Sequence, residues 1–290
     1  MDLKIVTLVK QVPDTHNIKG DAMKPDGTVN RAALPAIFNP EDLNALEEAL
    51  RIKEKYGGKI TVITMGPPNA SQVLRDSLFR GADEAVLISD RKFAGADTLA
   101  TSYALSMAIK KLKGYDIILC GRQAIDGDTA QVGPQTAEKL GINQLTCVCN
   151  IVEVKDGSIK AERNIDGGFE ILKTKLPVLI TVTNDANTPR FPSAKKVLAN
   201  KYAITPIEAE NYDEEYLKTS EIDKSNVKIK LWSVADIEAE PEQCGLSGSP
   251  TKVKEIDSVV LGAKEVKHID NSKTGYEILI NELAAEHIIS

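Results

Sequence analysis

The sequence predicts an α/β fold built on a doubly wound, mostly parallel sheet, with an antiparallel edge and an extended C-terminal arm. Short apolar runs alternate with longer amphipathic segments over residues 3–140, which is typical of βαβ units. The apolar runs have no polar face, as expected of parallel strands that helices cover on both sides. After residue 184 prolines punctuate the chain and the alternation ends, so we expect an α/β domain over residues 1–190 and an arm over residues 191–290.

Periodicity and end signals place the individual elements of the α/β domain. Asn39 and Pro40 precede a stretch with apolar residues near the 3.6-residue period, which predicts a helix capped by Asn39. Asp97 is expected to cap a later helix in the same way. The predicted strands are 3–9, 59–65, 84–88, 115–120 and 177–182, and the predicted helices are 40–56, 71–80, 97–112 and one that ends near residue 140.

The antiparallel edge and the arm follow from different patterns. Residues 147–154 and 158–163 flank the turn Asp156-Gly157, which predicts a hairpin added to the same sheet. Within the arm, only residues 228–234 and 276–287 look regular, as a strand and a terminal helix. We expect an arm with so little core of its own to wrap a partner chain.

Composition excludes several classes of function. The formal net charge is -6 and no basic patch stands out, so binding to nucleic acid is not expected. No apolar stretch approaches the length of a membrane span, and we expect a cytoplasmic protein. Cys120, Cys147, Cys149 and Cys244 form no C-x-x-C pair and are expected to be small buried side chains rather than metal ligands.

The segment from Gly121 to Thr136 carries the strongest functional signal, since it joins an apolar strand to a helix. In open parallel sheets, ligands bind at the carboxyl ends of the strands. Glycines in the segment permit close approach of the backbone, and N–H groups at the start of the helix suit a diphosphate. Arg122 adds a positive charge. There is no G-x-G-x-x-G motif and no P-loop, so an ordinary glycine-rich βα loop remains an alternative.

Two further loops are expected at the same sheet edge. Residues 10–15 follow the first strand, and residues 64–68 follow the second. Loop composition alone explains each of them. Together with the glycine-rich segment, however, they could surround a nucleotide.

Six motifs stand out along the sequence: KQVPD at 10–14, NPED at 39–42, GRQAID at 121–126, DTAQVGPQ at 128–135, RNIDGGFEIL at 163–172 and PVLIT at 177–181. Together they resemble the motifs of electron-transferring flavoprotein beta subunits. The resemblance covers residues 3–205 and extends more loosely to residues 245–250.

This resemblance implies an adenine-nucleotide-binding, Rossmann-like domain that works as a heterodimer with an alpha subunit carrying its own FAD. Ordinary members of the family hold AMP in the beta subunit, whereas electron-bifurcating members hold a second FAD there. The forms VPDT at 12–15 and TAQVGP at 129–134 look more like the bifurcating type. That type implies NADH as the donor, with one electron going through the alpha-subunit FAD to an acyl-CoA-dehydrogenase-type partner and the other to ferredoxin or flavodoxin.

The resemblance also implies which residues bind the nucleotide. Because a flavin carries the chemistry itself, we expect no catalytic side chain, and Arg122 is our hypothesis for a residue that tunes the flavin. No metal site is expected. The implied cofactor-binding residues are Leu8, Lys10, Asn39, Asp42, Thr64, Met65, Gly66, Gly121, Arg122, Gln123, Gly127, Asp128, Thr129, Ala130, Gln131, Val132, Gly133, Pro134, Gln135 and Thr136.

Residues 189–193 look like the start of the family's recognition loop, which docks the dehydrogenase partner. Ala194, Val197 and Leu198 are candidates for its anchoring residue. Two other functions stay open. One is a non-bifurcating subunit whose AMP is structural, and the other is a stand-alone ATP binder of the universal-stress type.

Overall fold

The computed structural model describes residues 2–14, 34–210, 227–251, 267–286 and 288–289. The chain divides into two units, Met1–Lys254 and Glu255–Ser290. The larger unit contains the sheet and the helices that cover it, and the smaller unit contains one described helix. Thr15, His16 and His287 lie outside the described residues.

A nine-stranded sheet organises the described part of the larger unit. The described strands, two of which lie outside this sheet, are β1 (Lys4–Leu8), β2 (Gln11–Pro13), β3 (Ala36–Phe38), β4 (Lys59–Met65), β5 (Glu84–Ile88), β6 (Ile117–Gly121), β7 (Asn143–Lys155), β8 (Ser158–Ile165), β9 (Gly168–Lys175), β10 (Val178–Val182) and β11 (Ile229–Trp232). The spatial order is β11-β5-β4-β1-β6-β10-β7-β8-β9, and β2 pairs with β3 in a separate ribbon. Pairing is parallel from β11 to β7, and β8 and β9 add an antiparallel edge.

Helices α1 (Pro40–Tyr56), α2 (Ser71–Arg80), α3 (Thr98–Lys111) and α4 (Val132–Leu140) cover the two faces of the parallel part of the sheet. The larger unit also contains α5 (Ala194–Asn200) and α6 (Pro206–Glu210). The described helix of the smaller unit is α7 (Lys273–Ala285). Ile117 and Leu119 of the central strand β6 share a buried cluster with α1 and α2. Ile118 between them packs in a second cluster with α3 and α4. This alternation between two buried faces is why the parallel strands read as continuous apolar runs.

The structure confirms the fold class that the sequence predicts. The boundaries of α1, α2, β4 and β5 agree with the predicted ones, and the hairpin of β7 and β8 lies at the antiparallel edge. Asp97 caps α3, because its carboxylate accepts hydrogen bonds from the backbone N–H groups of Leu99 and Ala100. The expectation for Asn39 is wrong in one respect, since its side chain makes no capping bond to α1.

The residues after 190 contribute more to the core than expected. β11 pairs in parallel with β5, and Ile229 is fully buried beside it. Val234, Ile237 and Cys244 pack in the cluster under α3. The strand β11, from the expected arm, thus forms one edge of the sheet, and the boundary between the two units falls at 254/255. The functional division at residue 190 stays a prediction.

Sequence patterns also missed five of the described strands and helices. The strands β2 and β3 form the separate ribbon, β9 extends the antiparallel edge, and the short helices α5 and α6 follow β10. None of the described helices is long and apolar enough to cross a membrane. The described residues also contain no cluster of side chains that could hold a metal ion.

Candidate functional site

A cleft of about 410 Å³ opens at the carboxyl ends of three neighbouring strands. Leu8 ends β1, Met65 ends β4 and Gly121 ends β6, and all three residues line the cleft. The N-terminal ends of α3 and α4 close its other side. Its volume lies within the range of small-molecule sites, and its position is the one where open α/β sheets bind ligands.

The glycine-rich turn after β6 is shaped by close backbone packing. A Cβ atom on Gly121 would lie 2.7 Å from the backbone nitrogen of Asp42, and one on Gly133 would lie 2.8 Å from Cγ2 of Thr181. Asp128 and Ala130 adopt positive φ angles of 48° and 54°, which non-glycine residues rarely do. The turn is therefore an irregular entry to α4, as the position of Pro134 in the first helical turn predicts.

Three polar residues at the start of α1 hold this turn and the loop after β1. The amide of Asn39 donates to the carbonyl oxygen of Gln123 at 2.9 Å and accepts from the N–H of Ile125 at 3.1 Å. Glu41 Oε2 accepts from the N–H of Gln123 at 2.9 Å. Asp42 bridges both loops, with Oδ1 accepting from the N–H of Gly121 at 2.8 Å and Oδ2 from the N–H of Lys10 at 2.9 Å.

These contacts decide which backbone groups remain free for a ligand. The four N–H groups bound by α1 are unavailable, and those of Gly127 and Asp128 donate to the carbonyl of Ala124. In the described part of the chain, the N–H groups of Thr129, Ala130 and Gln131 have no acceptor. They lie in the cleft just before α4, where the helix dipole favours an anion.

Burial raises the pKa of Asp42 from 3.8 to about 7, although hydrogen bonds from Gly121, Asn39 and Lys10 and the charge of Lys10 partly offset this effect. A carboxyl group that sits beneath two loops therefore titrates near neutral pH. Cys120 also borders the cleft, and burial raises the pKa of its thiol, so it is an inert side chain.

Of the described residues that line the cleft, two are cationic, Lys10 and Arg122, and both are among the residues expected to bind the nucleotide. Lys10 Nζ lies 2.7 Å from Asp126 Oδ1, and Arg122 Nη2 lies 3.1 Å from Glu41 Oε1. Arg122 Nε is buried, and no partner for it is found among the described residues. An unpaired buried guanidinium N–H is costly, so this donor fits an anionic ligand group.

Most of the residues expected to bind the nucleotide come together in the cleft. Six do not line it. Thr64 and Thr136 are buried, and the Thr136 hydroxyl donates to the Val132 carbonyl. The other four are Asn39, Gly66, Pro134 and Gln135. Asn39 supports the cleft indirectly, because its side chain bonds the backbone of the turn after β6. The expected residues that line the cleft are Leu8, Lys10, Asp42, Met65, Gly121, Arg122, Gln123, Gly127, Asp128, Thr129, Ala130, Gln131, Val132 and Gly133.

Sequence reasoning missed the wall of the cleft formed before and within α3. Gly95, Ala96, Asp97 and Thr98 follow β5 and open α3, which is the same strand-end position as the other loops. This position could have identified them, but the sequence pattern presents Asp97 only as a helix cap. The other residues missed are Val9, Phe93, Thr101, Leu105 and Cys120, whereas Ala124 and Asp126 fall in the expected segment from Gly121 to Thr136.

Asp97 supports this wall by joining it to the segment after β11. Its backbone N–H donates to Ser249 Oγ at 2.8 Å, and its Oδ2 accepts from Thr251 Oγ1 at 2.7 Å. Gly245 in the same segment has no room for a Cβ atom, which would lie 2.1 Å from the Lys92 carbonyl oxygen. Residues 245–251 therefore hold the entrance of α3 in place.

The fold and the cleft define an open-sheet α/β protein with a candidate ligand site at the carboxyl edge of its strands. A family model for the electron transfer flavoprotein domain matches residues 26–212. The chain belongs to the electron transfer flavoprotein family and is of its beta-subunit type.

Relatives match the chain over nearly its whole length. The electron transfer flavoprotein subunit beta of Clostridium acetobutylicum is 44% identical over 289 residues, and that of Thermoanaerobacterium thermosaccharolyticum is 43% identical over 287 residues. The subunit CarD of the caffeyl-CoA reductase-Etf complex of Acetobacterium woodii is 40% identical over 291 residues. Each alignment spans 99% of this chain and 100% of the relative.

Replacing Gly121 by alanine should distort the turn, because the new Cβ atom has no room beside Asp42. Gly168 in β9 is the control, since it lies outside the cleft lining and a Cβ atom added there would meet nothing within 4 Å. We expect Gly121→Ala to copurify with much less nucleotide than Gly168→Ala, as measured by absorbance and chromatography. Equal retention by the two variants would contradict this account of the turn.

The raised pKa of Asp42 predicts a pH dependence of stability. Between pH 4 and 7 the folded chain keeps the Asp42 proton that the unfolded chain releases, so this contribution to stability falls as pH rises and levels off above 7. The full slope is about 1.4 kcal/mol per pH unit. Urea unfolding at several pH values should show this fall in the native sequence relative to Asp42→Asn. Parallel curves for the two proteins would rule it out.

Proposed function

We propose that the cleft binds FAD and that the chain is the beta subunit of an electron transfer flavoprotein of the electron-bifurcating type. The single observation that carries this proposal is the convergence of three strand-end loops and two helix N-termini on one cleft. Such a site offers backbone N–H groups for phosphates and apolar walls for rings.

The phosphates are assigned to the turn before α4. Thr129, Ala130 and Gln131, whose N–H groups have no acceptor among the described residues, line the same cleft as Arg122, whose Nε also has no partner there. Both kinds of donor suit a diphosphate. Lys10 can turn from Asp126 to a ligand phosphate, since its ammonium group is half exposed. These residues position the cofactor and lower the cost of burying its charge.

The apolar part of the cleft suits the rings of a dinucleotide. Leu8, Val9, Phe93 and Leu105 line it and exclude water from one side. A bound flavin supplies the redox chemistry, namely acceptance of hydride from NADH and release of electrons to two acceptors. The chain itself supplies binding, orientation and charge. The proposed acceptors are the FAD of an alpha subunit and ferredoxin or flavodoxin.

The assembly to which a relative belongs supports a partner that acts on an acyl-CoA. CarD is named as a subunit of a caffeyl-CoA reductase-Etf complex, and it resembles this chain over its full length. By analogy, we propose an acyl-CoA-dehydrogenase-type partner and an alpha subunit that forms a heterodimer with this chain. The segment from residue 191 to 200 is the proposed docking segment.

The docking segment has the chemistry of a protein interface. Phe191 is 90% exposed and Leu198 is 70% exposed, which is unusual for large apolar side chains on a folded surface. Lys195 and Lys196 lie between them and are also exposed. A partner with an apolar pocket and an acidic rim fits this arrangement. Leu198 is therefore the anchoring residue we propose.

Identifying the nucleotides bound to the purified heterodimer tests the proposed function. Two FAD molecules per heterodimer are expected, one on each subunit, and they can be counted by acid extraction and chromatography. One FAD with one AMP would replace the bifurcating proposal by a subunit with a structural AMP. A stable homodimer or monomer that binds ATP and no flavin would overturn both.

Removing the charge of Arg122 should weaken the site and change the flavin potential. We expect Arg122→Ala to bind FAD about tenfold more weakly or worse, which is typical of losing one charge-assisted hydrogen bond. The midpoint potential of the bound flavin should become more negative, because Glu41 loses its cation. Potentiometry and dissociation constants measure both effects. Arg75→Ala, which breaks an ion pair with Glu208 outside the cleft, is the control and should leave both unchanged.

A further inference from the structure

The segment that leads from β10 to the docking segment is fastened to α1 by side-chain amides. Asn44 Nδ2 donates to the carbonyl oxygen of Asn187 at 2.8 Å. Asn187 Nδ2 donates in return to the Asn44 carbonyl at 3.0 Å and to Glu48 Oε1 at 2.8 Å. Such reciprocal bonds between partly buried groups fix the backbone of a connecting segment.

Arg190 makes the strongest of these attachments. Its backbone N–H and its Nε donate to Glu47 Oε2 at 3.1 and 2.9 Å, and its Nη2 donates to Glu47 Oε1 at 3.0 Å. Glu54, farther along α1, accepts hydrogen bonds from both terminal nitrogens of the Arg190 guanidinium. This fork-shaped pairing fixes direction as well as distance, and it lowers the pKa of Glu54.

The ion pair between Arg190 and Glu47 differs from a loose surface ion pair because its carboxylate is buried. The Glu47 side chain is only 6% exposed, and a buried charge of this kind needs cationic partners. Arg190 is the nearer of its two cationic partners among the described residues, at 2.9 Å, and Arg51 is the other, at 3.3 Å. Further bonds flank it, since Arg80 Nε donates to the Arg190 carbonyl at 3.1 Å and the Ser193 N–H donates to the Phe79 carbonyl at 3.0 Å. Together they hold the backbone on both sides of Phe191.

It is unusual for an aromatic side chain to be almost fully exposed to solvent where the backbone that carries it is fixed. Arg190 is tied to α1, yet Phe191 next to it is 90% exposed. Ordering an exposed side chain gains nothing for folding by itself, because no apolar surface is buried. Rigid presentation of an apolar side chain does help binding, since the ordering cost is met before the partner arrives.

The helix that holds Arg190 also holds the nucleotide loops. Asn39, Glu41 and Asp42 at the start of α1 bind the turn after β6, and Glu47 and Glu54 bind Arg190 from the same helix. One rigid element of 17 residues thus fixes both the cleft and the root of the docking segment.

We propose that Arg190 is a positioning residue for partner docking. Its clasp with Glu47 and Glu54 sets the docking segment at a constant place relative to the cofactor cleft, so that electrons enter or leave over a reproducible distance. The inference rests on the proposed function, because it takes residues 191–200 as the surface that meets the flavin dehydrogenase. Arg190 touches neither cofactor nor partner in this role.

Steady-state electron transfer to the intact heterodimer tests the clasp. The probe is an acyl-CoA dehydrogenase with its acyl-CoA substrate, and the concentration of the heterodimer is varied. Arg190→Ala should raise the KM for the heterodimer about tenfold while kcat stays within about twofold, as expected when only productive docking is weakened. Flavin content should stay at the native level, and hydrogen exchange at the Ser193 amide should accelerate.

Arg51 provides the matched control. It also pairs with Glu47 and Glu48, at 3.3 and 3.1 Å, but it lies on α1 and does not hold the docking segment. Arg51→Ala should therefore keep the native KM, and Arg190→Lys should give an intermediate KM because it keeps charge and loses the fork.

An unchanged KM in Arg190→Ala with native flavin content would overturn the proposal. So would an equal rise in KM for Arg51→Ala, since the effect would then come from the carboxylates and not from the docking segment. If Arg190→Ala folds poorly, Glu54→Gln removes half of the clasp at an exposed position and should raise KM to a smaller extent.

The two proposals fail in different ways. A native heterodimer that binds no FAD in the cleft, or that no dehydrogenase reduces, contradicts the proposed function. The hydrogen-exchange rate of the Ser193 amide still tests the clasp in that case. An unchanged rate in Arg190→Ala would show that Arg190 does not hold this backbone in place.

Discussion

The candidate site depends on Asp42, a buried carboxyl group at the start of α1 that accepts hydrogen bonds from two loops at once. Gly121 ends β6 and Lys10 follows the neighbouring strand β1, so the two residues lie in different loops at one sheet edge. Asp42 accepts from the backbone N–H groups of both, and such groups need an acceptor where they are shielded from water. The geometry of the cleft therefore originates in a helix that contributes little to its lining.

The same constraint explains why α1 carries so many buried polar residues. Glu41, Asp42, Asn44, Glu47 and Glu48 are all buried on one helix, where charged residues are rarely found without partners. Each has a partner that is far away in sequence, either a loop of the cleft or the segment after β10. Helix α1 is thus a frame that joins irregular segments, while its apolar side packs on the sheet.

The regular part of the fold could be read from the sequence because its signals are local. Apolar runs, the Asp97 cap and the glycines after the helices fix their elements within a few residues. The residues of β11 could not be assigned to the main sheet, since pairing with β5 joins residues that are about 140 positions apart and no local signal reports it. The role of Asn39 was missed for the same reason, because its partners Gln123 and Ile125 lie far along the chain.

The balance of charge in the cleft shows how its anion site has to work. Lys10 and Arg122 are each paired with a carboxylate, and Asp97 and Asp128 add further negative charge to the lining. Side-chain cations alone therefore cannot attract a diphosphate strongly. The N–H groups of residues 129–131 and the Nε–H of Arg122 are donors without an acceptor among the described residues, and the backbone donors are fixed in direction. A site of this kind selects its ligand by the placement of phosphate oxygens rather than by net charge, and it therefore requires the rigid turn that α1 holds in place.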